Sequence, residues 1–305
     1  MTRVYRDEPL TTILGELEAQ LAAGAGALAI CVLDPDLGRG CHAGALIDHA
    51  GARFVHRPFR VWVDLAERLG LRLQTPRPAD APGLITLRFE PLEAAPRAPR
   101  GAPAERYGHG SAFARIAKLE DPGFVVDLTE AVTRAGLGAA PRVLDLGVNT
   151  GDELTVIQRV APACDVVGID HSASALAIAR DRFPGFRFIE ADLGALATLG
   201  LGVFDLVISL NTLQSPGVDD RAVLRQVVQH HLAPGGAVIL GLPNSRYVDG
   251  EIVYGARMKN FRQPELGLLV KDVAFYRKYL QQHHRQVFVT GKHYVLVTGV
   301  AESVP

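Results

Sequence analysis

The chain has 305 residues, of which 48% are hydrophobic and 21% charged, and its formal net charge at pH 7 is -1. This balance is that of a globular protein with room for one large or two ordinary hydrophobic cores. Asp, Arg or Gly interrupts the longest apolar runs, so none reaches the about 18 residues that a membrane-spanning helix requires. The first nine residues lack an apolar signal core, and Cys31, Cys41 and Cys164 are few and scattered. We therefore expect a cytoplasmic protein without a disulfide framework or a membrane partner.

The first 92 residues predict a small α/β accessory domain. Apolar residues recur at helical spacing over residues 10–22, and a buried strand is predicted at 27–33. A second helix is predicted around 61–69, and short strands are predicted at 71–73 and 84–89. The side chains that could ligate a metal have spacings that match no standard zinc pattern, so no metal is expected. They are Cys41, His42, His49 and His56.

Residues 93–105 predict a linker, because they are rich in Ala and Pro and contain too few large apolar residues to pack. The second domain is predicted over 106–305 and begins with a helix at 121–136. Its strands alternate with helices, which is typical of a doubly wound parallel sheet. These helices are predicted at 153–160, 172–183 and 219–232, with a short one near 193–199. The strands are predicted at 142–146, 166–169, 186–190, 204–209 and 236–241. Two β-rich runs within 286–298 then meet at Gly291 and predict an antiparallel hairpin.

The central motif of the second domain reads Asp145-Leu-Gly147-Val-Asn149-Thr-Gly151. It joins an apolar strand to a helix start, so its glycines would let the backbone approach a ligand and the helix terminus would offer amide donors. Asp170 ends the next strand 23 positions after Gly147, close to the about 20 residues typical of a carboxylate that binds ribose. The dinucleotide fingerprint would need two further glycines that this loop lacks. A nicotinamide-dependent dehydrogenase therefore fits less well.

This motif and the final hairpin resemble the class I S-adenosyl-L-methionine (SAM)-dependent methyltransferases over about residues 107–299. The first motif of that family is an acidic residue followed by Gly-x-Gly-x-Gly, and Asn149 occupies the middle glycine position here. Because Asn tolerates left-handed backbone, we expect the loop geometry to survive. The resemblance implies a doubly wound, mostly parallel seven-stranded sheet that ends in an antiparallel hairpin. It also implies SAM as the cofactor.

The resemblance further implies roles for the residues that follow the first two strands. By this comparison Asp145, Gly147, Asn149 and Gly151 would hold the amino-acid part of SAM. Asp170 would accept hydrogen bonds from the ribose hydroxyls. A structural alternative for Asp170 is a carboxylate that caps the next helix.

Residues after the third and fourth strands are expected at the adenine and at the methyl group. By resemblance Asp192 would accept from the adenine amino group, and Leu193 would pack on the ring. His171 would flank the adenine, while Asn211 would lie near the methyl donor. Helix capping by Asp192 and ordinary surface packing of His171 remain open alternatives.

Contacts with the methyl acceptor are expected after the fourth and fifth strands and in the insert that follows. The candidates are Gln214, Asn244, Tyr247, Tyr254 and Arg257. Residues 246–293 hold nine Lys plus Arg and four Asp plus Glu, a difference of +5 that could attract a phosphate or a carboxylate. A solvated helix face would explain part of this charge equally well.

The sequence thus predicts a SAM-dependent methyltransferase that acts on an unidentified, anionic small molecule. One alternative is an RNA methyltransferase that uses the basic 246–293 surface, and another is an NAD-dependent or non-catalytic Rossmann-like protein. No residue is indicated as a catalytic base, and the oligomeric state stays open.

Overall fold

The structure is a computed structural model, and it describes residues 2–93, 116–255 and 266–302. These residues divide into two compact units, the first comprising residues 2–93 together with Tyr247–Val253 and the second comprising the others. Nearly all of the predicted linker lies outside the described residues, so the division into 1–92, 93–105 and 106–305 stays a prediction. Within the described ranges, no helix is both long and apolar enough to cross a membrane.

The first unit has two α-helices, α1 (Leu10–Ala22) and α2 (Phe59–Leu69), at the positions that the sequence predicts. Its strands are β1 (Arg3–Val4), β2 (Leu28–Leu33), β3 (Leu46–His49), β4 (Ala52–Val55), β5 (Leu71–Leu73), β6 (Arg77–Pro78) and β7 (Leu84–Pro91). One sheet has the order β1-β2-β7-β5, with β6 also paired to β7, while β3 and β4 form a separate hairpin.

Alternation along β2 builds the core of the first unit. Leu28 and Ile30 join a buried cluster with Leu17 of α1 and Trp62 of α2. Cys31, on the opposite face of β2, belongs to a smaller cluster. This period of two is the pattern of a strand that is covered on both faces.

The second unit contains the larger sheet. Its helices are α3 (Pro122–Arg134), α4 (Asp152–Val160), α5 (Ala173–Arg182), α6 (Asp220–Gln226) and α7 (Gly267–Gln282). Its sheet strands are β8 (Arg142–Leu146), β9 (Asp165–Asp170), β10 (Arg187–Glu190), β11 (Phe204–Leu210), β12 (Leu232–Pro243), β15 (Arg285–Thr290) and β16 (Tyr294–Ala301). Between β12 and α7 the chain forms the hairpin of β13 (Ser245–Val248) and β14 (Glu251–Tyr254), of which Tyr247–Val253 groups with the first unit.

The strand order of the large sheet is β10-β9-β8-β11-β12-β16-β15. Strands β8 to β12 pair in parallel, whereas β16 runs antiparallel to both β12 and β15. The predicted seven-stranded sheet with a final antiparallel hairpin is therefore confirmed. From β8 the chain builds outward to β10 and then returns to β11 on the other side. The strand order consequently reverses between β8 and β11, where open α/β sheets bind their ligands.

Two predicted boundaries differ from the structure. The helix predicted over 219–232 ends as α6 at Gln226 and continues as one π-helical stretch, Val227–His231. The segment predicted as a short helix at 193–199 is a 3-10 helix, Leu193–Thr198. Both stretches are short connections, in which tertiary packing rather than apolar periodicity decides the backbone.

Candidate functional site

The carboxyl ends of β8 to β12 bring most of the predicted cofactor residues to one edge of the large sheet. Asp145 pairs with Ile208 of β11, and Asp170 pairs with Glu190 of β10. The loop after each parallel strand therefore opens on the same side, around the point where the strand order reverses.

Left-handed backbone shapes the loop between β8 and α4. The φ angles of Gly147, Asn149 and Gly151 are 84°, 47° and 80°. The expectation that asparagine can hold this conformation in the middle position is confirmed. A Cβ atom on Gly147 would lie 2.1 Å from Oγ1 of Thr212. The glycine is thus required by a neighbouring side chain of the protein, a reason that the sequence did not reveal.

The amides of this loop are already used within the chain. Gly147 and Val148 both donate to the carbonyl oxygen of Ile169, at 2.7 and 3.1 Å, and Gly151 donates to that of Val148 at 2.8 Å. The two remaining amides donate to side chains, Asn149 to Asp170 at 2.9 Å and Thr150 to Asn149 at 2.9 Å. The amides of residues 147–151 are therefore engaged within the protein, and the predicted donors at the terminus of α4, which begins at Asp152, remain a prediction. The backbone bonds of the loop fix its own shape.

Asp170 links the loop to the start of the next helix. Its Oδ2 accepts from the amide of Asn149, and its Oδ1 accepts from the amide of Ser172 at 2.8 Å. Ser172 itself caps α5 by accepting from the amide of Ala175. Asp170 is consequently not the helix cap but a buried brace, 6% exposed, between two loops. A carboxylate oxygen can accept more than one hydrogen bond, so the predicted ribose contact remains a prediction.

Asp145 and Glu153 form a buried acidic pair beneath this loop. Their side chains are 0% and 1% exposed. Both oxygens of Asp145 and Oε1 of Glu153 have no hydrogen-bond donor among the described residues. Burial raises the pKa of Asp145 well above its ordinary value, and the neighbouring Glu153 raises it further. Burial also raises the pKa of Glu153, while Lys118 opposes the shift in both groups.

Asp192 and Leu193 line a cavity of about 240 Å³ in the second unit, together with Val218, Ala222 and other residues of the 3-10 helix, of α6 and of the loop before α6. Leu193 is buried at 8% exposure. The Asp192 carboxylate accepts from the amide of Gly194 at 2.7 Å, so the capping alternative describes one of its contacts. None of the other predicted cofactor residues lines this cavity.

His171 and Asn211 lie just past the ends of β9 and β11. The His171 ring is 46% exposed, and its Nδ1 is 3.8 Å from Oδ1 of Asp170. Asn211 has a left-handed backbone, with φ of 60°, and its amide donates to the carbonyl oxygen of Gly241 at 2.9 Å. Its side-chain oxygen is buried without a donor in the described part of the chain.

Gln214 forms a hydrogen bond with a residue of α7. Its Nε2 donates to the hydroxyl of Tyr276 at 3.4 Å, and that hydroxyl donates to Oδ2 of Asp220 at 2.8 Å. Tyr276 is fully buried, and burial together with Asp220 raises the pKa of its hydroxyl. The other amide atom of Gln214, Oε1, is buried with no donor among the residues described.

The remaining acceptor candidates lie in different surroundings. Asn244 follows β12 and ties the chain to the final hairpin, because its Nδ2 donates to the carbonyl oxygen of Lys292 at 2.8 Å. Tyr254 is the last residue of β14 and groups with the second unit, whereas Tyr247 groups with the first unit. Arg257 lies outside the described residues. The roles of these four in acceptor binding remain predictions, as does the RNA alternative that depends on the same segment.

The buried, unpartnered side-chain atoms from the end of β8 to the first turn of α4, and in the loop after β11, are all hydrogen-bond acceptors. They belong to Asp145, Glu153, Asn211 and Gln214. Buried polar atoms normally have partners, so this set fits a ligand that brings hydrogen-bond donors or positive charge. A diphosphate would instead need donors, and the amides of residues 147–151 are already engaged. Within the described ranges, no group of three or more His, Cys, Asp or Glu could hold a metal ion.

Sequence reasoning did not identify Glu153, Thr212 and Tyr276 as site residues. The sequence could have indicated that Glu153 is buried, because Leu154, Val156 and Ile157 form an apolar face of α4 and Glu153 lies on that face. The contacts of Thr212 and Tyr276 join residues 65 and 62 positions apart. Such contacts depend on the assembled sheet rather than on local spacing.

Known proteins match the part of the chain that forms the parallel strands of the large sheet. Residues 143–236 match the family described as "Methyltransferase domain". A trans-aconitate 2-methyltransferase of Paracidovorax citrulli (strain AAC00-1) is 34% identical over 117 residues, 38% of this chain and 44% of the relative. One of Methylobacterium nodulans is 29% identical over 148 residues, 42% of this chain and 52% of the relative. The chain thus spans about half the length of these relatives.

A solved structure also matches part of the chain. The magnesium protoporphyrin IX methyltransferase of Synechocystis PCC 6803, solved with bound SAM, is 18% identical with a TM-score of 0.42. The match covers 65% of this chain and 90% of that one.

Proposed function

Because residues 143–236 belong to the class I SAM-dependent methyltransferase superfamily, we propose that this protein transfers the methyl group of SAM to a small molecule that carries carboxylate groups. Bound SAM supplies an electrophilic methyl group on its sulfonium. The protein's own residues hold the cofactor, orient the acceptor and exclude water, which is how most of the acceleration in such a displacement arises.

The observation that carries the cofactor assignment is the buried carboxyl group of Asp145 at the end of β8. Its oxygens lack donors in the described part of the chain and lie at the reversal of strand order. The α-ammonium group of SAM supplies three donors and a positive charge, which match this acceptor. Asn211 and Gln214 add amide oxygens at the next strand end. NAD fits less well, because its diphosphate would meet acidic and acceptor groups there.

Two observations favour a carboxylate as the methyl acceptor. The aligned relatives are named for trans-aconitate, which is itself a carboxylate anion. The 246–293 segment has an excess of positive charge that would attract such an anion. A carboxylate attacks with an oxygen lone pair and has no proton to lose. This acceptor class therefore needs no catalytic base, in keeping with a sequence that indicates none.

Calorimetric titration of the full chain with S-adenosylhomocysteine, with NAD as the comparison ligand, tests the cofactor. Asp145→Asn is the test variant, and Asp181→Asn, on the exposed surface of α5, is the matched control. We expect binding of S-adenosylhomocysteine and not of NAD, weakened about ten- to a hundredfold by Asp145→Asn because a charge-assisted hydrogen bond is lost. Equal binding by the two variants would contradict the role of Asp145.

Methyl transfer is then measured with SAM labelled on the methyl group. Parallel reactions contain trans-aconitate, other di- and tricarboxylates, their methyl esters, and a pool of RNA. We expect label on free carboxylates and none on the esters. Label that enters only RNA would replace the proposed acceptor class with the RNA alternative. Binding without transfer to any of these compounds would leave only the cofactor assignment.

A further inference from the structure

Glu153 occupies an unusual place for an acidic residue. It is one of two acids in the first turn of α4, and the other, Asp152, pairs with Arg182 at 2.8 Å near the surface. Glu153 instead turns inward and is 1% exposed. An ionised carboxylate is costly to bury, and Oε1 of Glu153 has no donor among the described residues, so this position calls for a compensating partner or proton.

The charged group that most affects Glu153's neighbour Asp145 is Glu153 itself, which raises the pKa of the Asp145 carboxyl, and Asp145 is likewise fully buried with no donor among the described residues. Two carboxyl groups can share a hydrogen bond only when one of them carries the proton. A shared proton would leave the pair with a single negative charge and would give its unpartnered oxygens a donor. Lys118 supplies a facing positive charge, whereas Asp170 and Asp152 add negative charge from β9 and α4. A second negative charge on the pair would require another cation.

We propose that Glu153 is a second carboxyl group of the cofactor site, which shares a proton with Asp145 and loses it to solvent when the α-ammonium group of the ligand binds. This inference rests on the proposed function. Before binding, the single charge of the pair is balanced by Lys118. After binding, two carboxylates face two cations, and one proton has left for each ligand bound. Glu153 thus positions and charges Asp145 rather than reacting itself.

Calorimetry at pH 7 in two buffers of different ionisation enthalpy counts the protons released. For the wild-type chain and S-adenosylhomocysteine we expect about one proton per ligand. By the same linkage, affinity rises up to about tenfold per pH unit while the pair stays protonated. Methylthioadenosine keeps the adenosine and the sulfur but has no ammonium group, and it should release none.

Glu153→Gln keeps the shape of the side chain and donates an amide hydrogen to Asp145, which then stays ionised. In this variant we expect proton release near zero and an affinity that does not change with pH. Glu120→Gln, at an exposed position, is the matched control and should behave as wild type. If Glu153→Gln does not fold, the proton release that is measured for the wild-type chain in the two buffers still tests the inference.

The outcomes separate the two proposals. If S-adenosylhomocysteine binds to the wild-type chain without proton release, or if Glu153→Gln releases the same proton, the inference is overturned and the proposed function stands. If S-adenosylhomocysteine does not bind at all, the proposed function fails and takes the inference with it.

Discussion

The Oδ2 atom of Asp170 accepts a 2.9 Å hydrogen bond from the backbone amide of Asn149. The carboxylate that ends β9 therefore fixes the loop that follows β8, and it does so at the residue that replaces the family's middle glycine. Asn149 holds φ of 47° in this arrangement. A left-handed non-glycine residue costs free energy unless its surroundings support it, and Asp170 is part of that support.

Asp170→Asn should therefore damage the loop as well as any ribose contact. An amide places a donor against the amide of Asn149 or of Ser172, so we expect a loss of about 1–3 kcal/mol in the free energy of unfolding. Affinity for S-adenosylhomocysteine should fall more than tenfold. Urea unfolding and calorimetry measure the two effects.

The control for Asp170→Asn is Asp165→Asn, at the exposed start of the same strand. Asp165 pairs with Arg142 at 3.7 Å near the surface, and the change should alter stability by no more than about 0.5 kcal/mol. If Asp170→Asn leaves both stability and affinity unchanged, Asp170 does not brace the loop.

Gly147→Ala should destabilise the protein through two separable causes. Its φ of 84° disfavours any side chain, and its Cβ would overlap Thr212 at 2.1 Å. We expect a cost of about 2–4 kcal/mol, the sum of left-handed strain and overpacking. Gly136→Ala provides the comparison, because φ there is 62° and a Cβ would meet nothing within 4 Å. That control should cost about 1–2 kcal/mol. Equal losses in the two variants would show that Thr212 moves aside freely.

Most of the large sheet could be predicted from the sequence. Buried parallel strands are nearly continuous apolar runs, and β8 was predicted at the residues where the structure has it, 142–146. In the first unit, β1 and β6 have two residues each and β3 has four. Such short strands lack a readable period, and only pairing with β2, β7 or β4 defines them.

The candidate site was predictable only in part, for a similar reason. The residues at strand ends follow from the alternation of strands and helices, which is why Asp145 and Asp170 were found. The contacts of Thr212 and Tyr276 were not predicted, because they join residues that are far apart in the sequence. The burial of Glu153 was not predicted either, because it depends on the direction in which the side chain points. For Asp170 the sequence indicated a ribose contact or a helix cap, but not the hydrogen bonds that it accepts from two loop amides.

Removing the hydroxyl group from each of two tyrosines of α7 should affect stability differently. The hydroxyl of Tyr276 donates to Asp220 and accepts from Gln214, whereas the hydroxyl of Tyr279 is buried without a partner in the described part of the chain. Tyr276→Phe should lower the free energy of unfolding by about 1–3 kcal/mol, since it leaves two polar groups unpaired. Tyr279→Phe should be neutral or stabilising. Thermal and urea unfolding of both variants measure the free energy of unfolding. Equal losses of stability in the two variants would contradict the role of the hydrogen bonds that link Gln214, Tyr276 and Asp220.

Tyr276→Phe also tests the site, because it releases Gln214. If Gln214 contacts the acceptor, KM for the acceptor should rise while affinity for S-adenosylhomocysteine stays unchanged. A parallel loss of cofactor affinity would place Gln214 on the cofactor side instead. Tyr279→Phe should change neither quantity.

The acidic pair should make stability depend on pH, whatever the ligand. In the unfolded chain Asp145 and Glu153 ionise near their ordinary pKa values of about 4. In the folded protein burial raises the pKa of both, so the folded state binds more protons above that pH. The free energy of unfolding therefore falls as pH rises from about 4 toward the folded pKa of the pair, by up to about 1.4 kcal/mol per pH unit for one proton.

Glu153→Gln removes the shared proton and should flatten this dependence. Other groups titrate with their own signs: burial also raises the pKa of Asp127, whereas the amide of Arg6 and the charge of Arg3 help to lower that of Glu8. The difference between wild type and variant isolates the pair, and urea unfolding at pH 5, 6, 7 and 8 measures it. The variant should gain stability relative to wild type as pH rises, while Glu120→Gln should follow the wild-type curve. Parallel curves for wild type and Glu153→Gln would mean that Asp145 and Glu153 do not retain a proton in the folded protein.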